Sequence, residues 1–342
     1  MKKNIRTKAT VHDVALKAGV SIATVSRAFS LPDVVKTEVR EHVLNVAQKM
    51  GYSPNPAAKA LRLRKTHIVG AVIPTLDYAI FARMINTFQE ALATFDYITI
   101  VLTTGFDNSS VYDKAKLLID RGAEALLVVG AIEDKAFEKF IRSSAVPVVS
   151  TYSFLKDGVV PCIGFDNYAA TTSIMDYLVS LGHQKFAMIA GSPKGNDRQR
   201  HRIQAYVDCL AKNRLDGAQR VIKRPFSIED GAQAMHEIHQ LHPEVTAVVC
   251  NTDIFAFGAL SECRKIGLTV PKDISIVGFD DADYSSRLDP PLTTIAVPAE
   301  EMGRNAAIAL HAALTGKKKL HSEMLETTIK VRASATKPPK SS

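Results

Sequence analysis

Residues 10–29 read TVHDVALKAGVSIATVSRAF, two short amphipathic segments separated by a single glycine. Thr10 and Asp13 have the spacing of a capping box, and Val11, Val14, Ala15 and Ala18 follow at helical intervals. A first helix is therefore expected from Val11 to just before Gly19. Ser21 is placed to cap a second helix, on which Val25 faces inward with Val20 and Phe29. Ile22, Ala23, Ser26 and Arg27 then lie near the outer, N-terminal end of that helix. In a helix-turn-helix this is the end that meets base edges in the major groove, and short side chains there let the backbone approach closely.

Two capped helices can also pair without any ligand, because helix-turn-helix look-alikes occur in proteins that bind no nucleic acid. Charge separates the two readings. Residues 1–66 hold 13 Lys or Arg against 4 Asp or Glu, a net charge of +9, whereas the whole chain of 342 residues is only +8. The excess positive charge thus sits in one fifth of the protein, as a phosphate-contacting module requires.

The remaining composition, 46% hydrophobic and 23% charged, is that of a globular protein with room for two or three domains. The start, Met1-Lys2-Lys3-Asn4-Ile5-Arg6, has no apolar stretch after it, so no secretory leader is expected. Runs such as Ala125–Val129 are too short to span a bilayer, and a cytoplasmic location follows. Cys162, Cys209, Cys250 and Cys263 are isolated, which suits small buried hydrophobes rather than a zinc site or a disulfide. His236, His239 and His242 recur by threes before Pro243; with no carboxylate at a matching position, they read as a solvated helix face rather than a metal site. No cofactor is called for.

Thr37 opens a third helix, with Val39, Val43, Leu44, Ala47 and Met50 at helical spacing and a stop at Gly51. Residues 1–52 thus form a three-helix headpiece. Residues 53–66 follow as a linker in which Pro56 suits a first helical turn and Ala57, Ala58 and Ala60 continue it for about two turns, too few to be stable alone in water. From His67 the pattern becomes apolar strands alternating with amphipathic helices: Ile68–Ile73, Ile98–Leu102, Ala125–Val129, Val146–Ser150, Phe186–Ala190, Ala247–Cys250 and Ile274–Phe279. This indicates an α/β body of parallel sheets covered on both faces, with too many strands for one sheet and therefore two similar lobes. Pro290 and Pro291, followed by Leu292–Val297, read as a crossover back towards the first half. The tail after Ala335 is expected to be disordered.

In this order, the headpiece, the linker from Asn55 to Leu61 and the two-lobed body resemble the lactose-repressor (LacI) family of bacterial transcription regulators. The residues that carry the likeness are Thr10 to Arg27, Tyr52 to Leu61, Asp273 to Asp281 (DISIVGFDD) and Pro290 to Ile295 (PPLTTI). Within the body, Gly164 to Asn167 and Glu262 to Leu268 are most similar to the gluconate-repressor branch. The resemblance implies a periplasmic-binding-protein-like domain over residues 67–336, with lobe 1 near 67–166 and 298–327, lobe 2 near 167–297 and 328–336, and a disordered tail over 337–342. It also implies a homodimer on near-palindromic operator DNA, with paired linker helices in the central minor groove. Leu61 then occupies the position of a wedge that unstacks a base step. Asn55 and Ala58 line the groove beside it, and Lys59 stands where many relatives carry Arg. In the headpiece, Arg27 is the candidate for a guanine, and Ile22 or Ala23 for thymine methyls. Thr10, Ser21 and the helix N-termini are candidates for phosphates, with Thr24 and Ser26 on the same surface.

A cleft between two such lobes, at the carboxyl ends of the strands, is where a small ligand belongs. Loops leaving those strands offer Thr75, Asp77, Tyr78, Phe81, Tyr152, Arg198 to Arg202, Thr252, Asp253 and Asp280. By resemblance, Arg202 grips a sugar-like effector, Asp280 accepts its hydroxyls, and Tyr78 with Phe81 forms an apolar wall. Asp253 reads equally as a helix cap, and Asp281 as a solvated residue. Arg198 and Arg200 read either as surface charges or, converging with Arg202 and Lys194, as a site for a sugar acid or sugar phosphate. The sequence leaves both open.

Three classes compete: a regulator controlled by an effector, a solute-binding protein without DNA function, and an enzyme on a doubly wound fold. The basic headpiece counts against the second. The third lacks a glycine-rich nucleotide loop, a nucleophile elbow or paired catalytic acids in a convincing context.

Overall fold

The computed structural model describes residues 9–55, 65–156 and 158–339. The chain divides into two compact units, residues 1–66 and 67–342.

The first unit holds α1 (Val11–Ala18), α2 (Ile22–Ser30) and α3 (Thr37–Lys49). The capping box forms: the Asp13 N–H donates to Thr10 Oγ1 at 3.3 Å, and the Thr10 N–H donates to Asp13 Oδ2 at 2.8 Å. The Thr10 N–H and then the Thr10 hydroxyl, both donating to the Asp13 carboxyl, hold it below the usual carboxylate range. Gly19 ends α1 in the left-handed region, with φ +66°, which turns the chain into α2. Val14, Val25 and Val43, one from each helix, are fully buried at the centre. Val20 and Phe29 pack against them as expected, and Tyr52 meets Phe29 edge-on at 5.8 Å. Of the linker, Asn55 is exposed, while Ala58, Lys59 and Leu61 lie outside the described residues.

The second unit begins with β1 (Ile68–Ile73), α4 (Ala79–Ala93), β2 (Ile98–Thr103), α5 (Val111–Asp120), β3 (Ala125–Val129) and α6 (Lys135–Ser144). It continues through β4 (Val148–Thr151), β5 (Cys162–Gly164), α7 (Asn167–Ser180), β6 (Phe186–Ala190), α8 (Asp197–Lys212) and β7 (Val221–Lys223). Then follow α9 (Ile228–Leu241), β8 (Ala247–Cys250), α10 (Asp253–Lys265), β9 (Ser275–Asp280), β10 (Thr293–Ala296), α11 (Ala299–Leu314), β11 (Glu323–Met324) and β12 (Thr328–Lys330). Two six-stranded sheets result, ordered β11-β5-β4-β3-β1-β2 and β12-β10-β9-β8-β6-β7.

Among the described residues the sheets are parallel, as expected, apart from the edge pair β10 with β12, which is antiparallel. The central strands β3, β6, β8 and β9 are buried along their whole length, as strands covered by helices on both faces must be. Leu292–Val297 is not the crossover: it contains β10, which stays in the second sheet beside β9, and the chain returns to the first lobe through α11. The two-proline signal marked the entry to a strand. The short strands β5, β7, β11 and β12 carry too few residues for a periodic pattern and went unread. The chain directly after Ala335 is held, so disorder does not begin at Thr336. Thr336 donates its N–H to Ser275 Oγ at 3.1 Å, and its carbonyl meets His183 Nε2 at 2.8 Å. Among the described residues, no helix is long and apolar enough to cross a membrane.

Candidate functional site

On the headpiece, Ser21, Ile22, Ala23 and Arg27 are exposed on α2, with Thr24 and Ser26 half-buried. Ile22 leaves 40% of its surface in solvent. The Ser21 hydroxyl accepts from the Thr24 N–H at 3.1 Å and pairs with the Thr24 hydroxyl at 2.9 Å, while the Thr10 hydroxyl donates to Asp13 at 2.7 Å. Both candidate phosphate hydroxyls are therefore engaged in capping. What this surface offers a polyanion is Arg27 and the positive ends of α1 and α2.

In the body, strand ends of both sheets converge on one cavity. Asp280 closes β9, and both of its carboxylate oxygens are engaged: the Tyr152 hydroxyl donates to one at 2.6 Å and the Thr252 hydroxyl to the other at 2.9 Å. Burial pushes this carboxyl up, opposed by the charge of Arg202 and by the two hydroxyls. Burial likewise raises the Tyr152 phenol, with the Asp280 charge adding to it. Arg202, on the first turns of α8, donates Nε to Asn167 Oδ1 at 2.8 Å and Nη1 to the Asn251 carbonyl at 2.6 Å. Its guanidinium lies 3.5 Å from the centre of the Phe279 ring. Tyr152 and Asp280 hold φ of +67° and +116°, strained backbone of the kind that collects where side chains must be aimed.

Rings close the opening. Phe106, from the loop after β2, stacks on Phe226, from the loop after β7, at 3.9 Å, and the Tyr78 hydroxyl donates to the Phe226 carbonyl across the lobes. Burial and the charge of Asp77 push that phenol to about 12, so it remains a donor. The space beside these rings is about 30 Å³, room for a water or two.

Tyr78, Phe81, Tyr152, Arg198, Arg202, Thr252 and Asp280 are thus brought together. Thr75, Asp77, Asp253 and Arg200 are not. Thr75 and Asp77 bond each other in an exposed turn at 3.1 Å. Asp253 faces away from the cavity and accepts from Ala282, Ser285 and Thr294, which makes it neither a side-chain cap nor a lining residue. Arg200 turns outward to Glu133, and Asp281 pairs with Arg332 at 2.7 Å instead of being solvated. His236 does have a carboxylate, Glu262 of the neighbouring helix, at 2.8 Å.

The lining also includes Gln199, within the stretch already named, and Ile80, Phe106, Asn196, Phe226 and Asn251, which the sequence reading passed over. Asn251 directly follows a correctly placed strand and was within reach of the strand-end rule. Phe106 follows β2, whose loop was not searched, and Phe226 follows the three-residue β7, which left no signal.

The chain matches the family model of bacterial regulatory proteins, lacI family, over residues 10–55, and a periplasmic binding protein-like domain over residues 175–335. The HTH-type transcriptional repressor CytR of Escherichia coli (strain K12) is 33% identical over 311 residues, 90% of each chain. The structure of the lac repressor dimer bound to operator and the anti-inducer ONPF superposes with a TM-score of 0.83 at 23% identity, covering 96% of this chain and 100% of that one. A complex of the transcriptional regulator CelR with cellobiose gives 0.68 at 27% identity, covering 95% and 99%. The helix-turn-helix unit, the two-lobed body and this likeness over nine-tenths of the chain agree, and the protein belongs to the lacI family of DNA-binding transcriptional regulators.

Proposed function

We propose that this regulator is a homodimeric repressor whose operator affinity is set by a small sugar or sugar derivative held between the lobes of the body. The observation that carries the reading is the cleft itself: Asp280, Tyr152, Thr252 and Arg202 form a buried, hydrogen-bonded polar cluster beside the rings of Phe81 and Tyr78. That is the lining a polyol with one hydroxylated and one C–H face requires. The cellobiose complex of CelR supports the sugar class, and the operator-bound lac repressor dimer supports pairing on a near-palindrome. Arg27 reads guanine, Ile22 and Ala23 read thymine methyls, and the helix N-termini take phosphates. Family membership supports a minor-groove role for Asn55, Ala58, Lys59 and Leu61. The protein acts in the cytoplasm and binds rather than catalyses. A solute-binding protein without DNA function would have no use for a headpiece of net charge +9.

The test is retention of the full-length protein on operator-like duplex across a salt series, with and without sugars. The expected result is a steep salt slope, about −0.9 per phosphate contact, and an effector-dependent change of roughly 5- to 150-fold in affinity. A shallow slope that no sugar alters overturns the reading.

A further inference from the structure

Arg198 and Arg202 stand one turn apart on α8, both line the cavity, and each is 3% exposed. Their surroundings differ. Arg202 is engaged by Asn167, the Asn251 carbonyl, the Phe279 ring and the charge of Asp280. Arg198 commits only Nη1, to Asp197 at 3.3 Å, and among the described residues its Nη2 is a fully buried donor with no acceptor. The neighbouring polar groups are already committed. Gln199 Oε1 accepts from the Gly191 N–H and from Asn251 Nδ2, and Asn196 Oδ1 accepts from the Gln199 N–H. A native fold rarely leaves such a donor idle, because a buried N–H of a charged group is costly when unpaired.

Two further features share its sign. Asn196 caps the sixteen-residue α8, so the positive end of that helix lies at the cavity wall. A second pocket, on which Phe106 and Phe226 also border, is lined by Lys194, Lys223 and Arg224 against Asp107, with Arg224 paired to Glu237. Asp197 pairs with Nη1 at 3.3 Å and leaves Nη2 for the cavity side. Its carboxylate is held from behind by the Ser153 hydroxyl and the Ala131 N–H, and it is not part of the lining. A neutral hydroxyl can accept from Nη2 but brings no charge to the helix end; an oxyanion satisfies the donor and faces the positive helix terminus at once.

We infer that the effector carries an oxyanion, a carboxylate or a phosphate, that Arg198 receives through Nη2 at the N-terminus of α8. This rests on the effector site proposed above.

The experiment compares matched probes on the full-length protein, by melting temperature and by operator retention: D-gluconate, D-glucuronate and D-glucose 6-phosphate against D-glucose, with inorganic phosphate alone. An acidic probe is expected to raise the melting temperature and to alter retention at concentrations where D-glucose does neither, and the carboxylate and phosphate arms identify the source. Arg198→Gln is expected to weaken that probe by about tenfold or more, and Arg198→Lys to recover part of the loss. The double variant Asp197→Asn with Arg198→Gln leaves no carboxylate unpaired, so its probe-free melting temperature separates lost binding from lost folding. Binding of D-glucose with no acidic probe bound overturns the oxyanion and leaves the effector site standing. Binding of none, with operator retention unchanged, overturns both. Acidic-probe binding that survives Arg198→Gln at full strength overturns the assignment to Arg198.

Discussion

Asp253 occupies the first turn of α10 with its carboxylate fully buried, accepting from the Ala282 N–H at 2.8 Å, the Ser285 hydroxyl at 2.7 Å and the Thr294 hydroxyl at 2.6 Å. It ties the loop after β9 to β10. Burial, and then the charge of Asp280, push its carboxyl from 3.8 to about 7, against those three donors. The sign follows from linkage: a carboxyl whose folded value lies above its unfolded one holds its proton more tightly in the native state. Its stabilising effect is present below about pH 4 and is lost as the pH rises through about 7. The urea midpoint is therefore expected to fall between pH 5 and pH 8, and Asp253→Asn, which cannot ionise, to flatten that fall. An equal slope in the variant would place the titration elsewhere.

At the scale of elements, α9 and α10 cross so closely that two glycines are required. A Cβ on Gly258 would stand 2.0 Å from the Ile228 carbonyl oxygen and 2.6 Å from the Ala232 nitrogen, and one on Gly231 would stand 2.5 Å from the Phe255 carbonyl oxygen. These are backbone atoms, which cannot swing aside. Gly258→Ala is expected to cost about 3 kcal/mol or more, read as a lower melting temperature of the body. A loss below about 0.5 kcal/mol, the range of neutral surface changes, would mean that the helices part easily. Elements also differ in how legible they are. The helices of the headpiece announce themselves through caps and a 3.6-residue period, whereas β7 and β11 exist only because a neighbouring strand offers them a ladder.

Across the whole molecule, the closed cleft sets the logic of control. With rings of both lobes stacked beside a space of about 30 Å³, too small for a sugar, effector binding is expected to move Phe106 and Phe226 apart and so to change the angle between lobes. Arg83 of α4 adds a polar link, donating to the Asp281 carbonyl at 3.1 Å and meeting Asp283 at 3.2 Å in the loop after β9. The body carries its own hydrophobic clusters and the headpiece has a separate one. Removal of residues 1–66 is therefore expected to leave a folded body that still gains melting temperature with effector. Retention of that body on operator should fall to background at all salt concentrations. Undiminished retention would relocate the DNA surface to the body.

The sequence by itself determined the helix-turn-helix, the charge asymmetry and seven of the main strands, because caps, periodicity and net charge are properties of neighbouring residues. It also named the strand ends where a ligand belongs. Only the tertiary structure decided which side chains at those ends meet. Arg198 and Arg202 share a face of α8 and Arg200 does not, as about 100° per residue requires, yet packing alone sets which face meets the cleft. Asp253 and Asp280 are both acids at strand ends of one sheet, and the long-range hydroxyls of Thr294, Ser285 and Tyr152 give one to the scaffold and the other to the cavity. Those partners lie between 32 and 128 residues away, beyond the reach of any local signal.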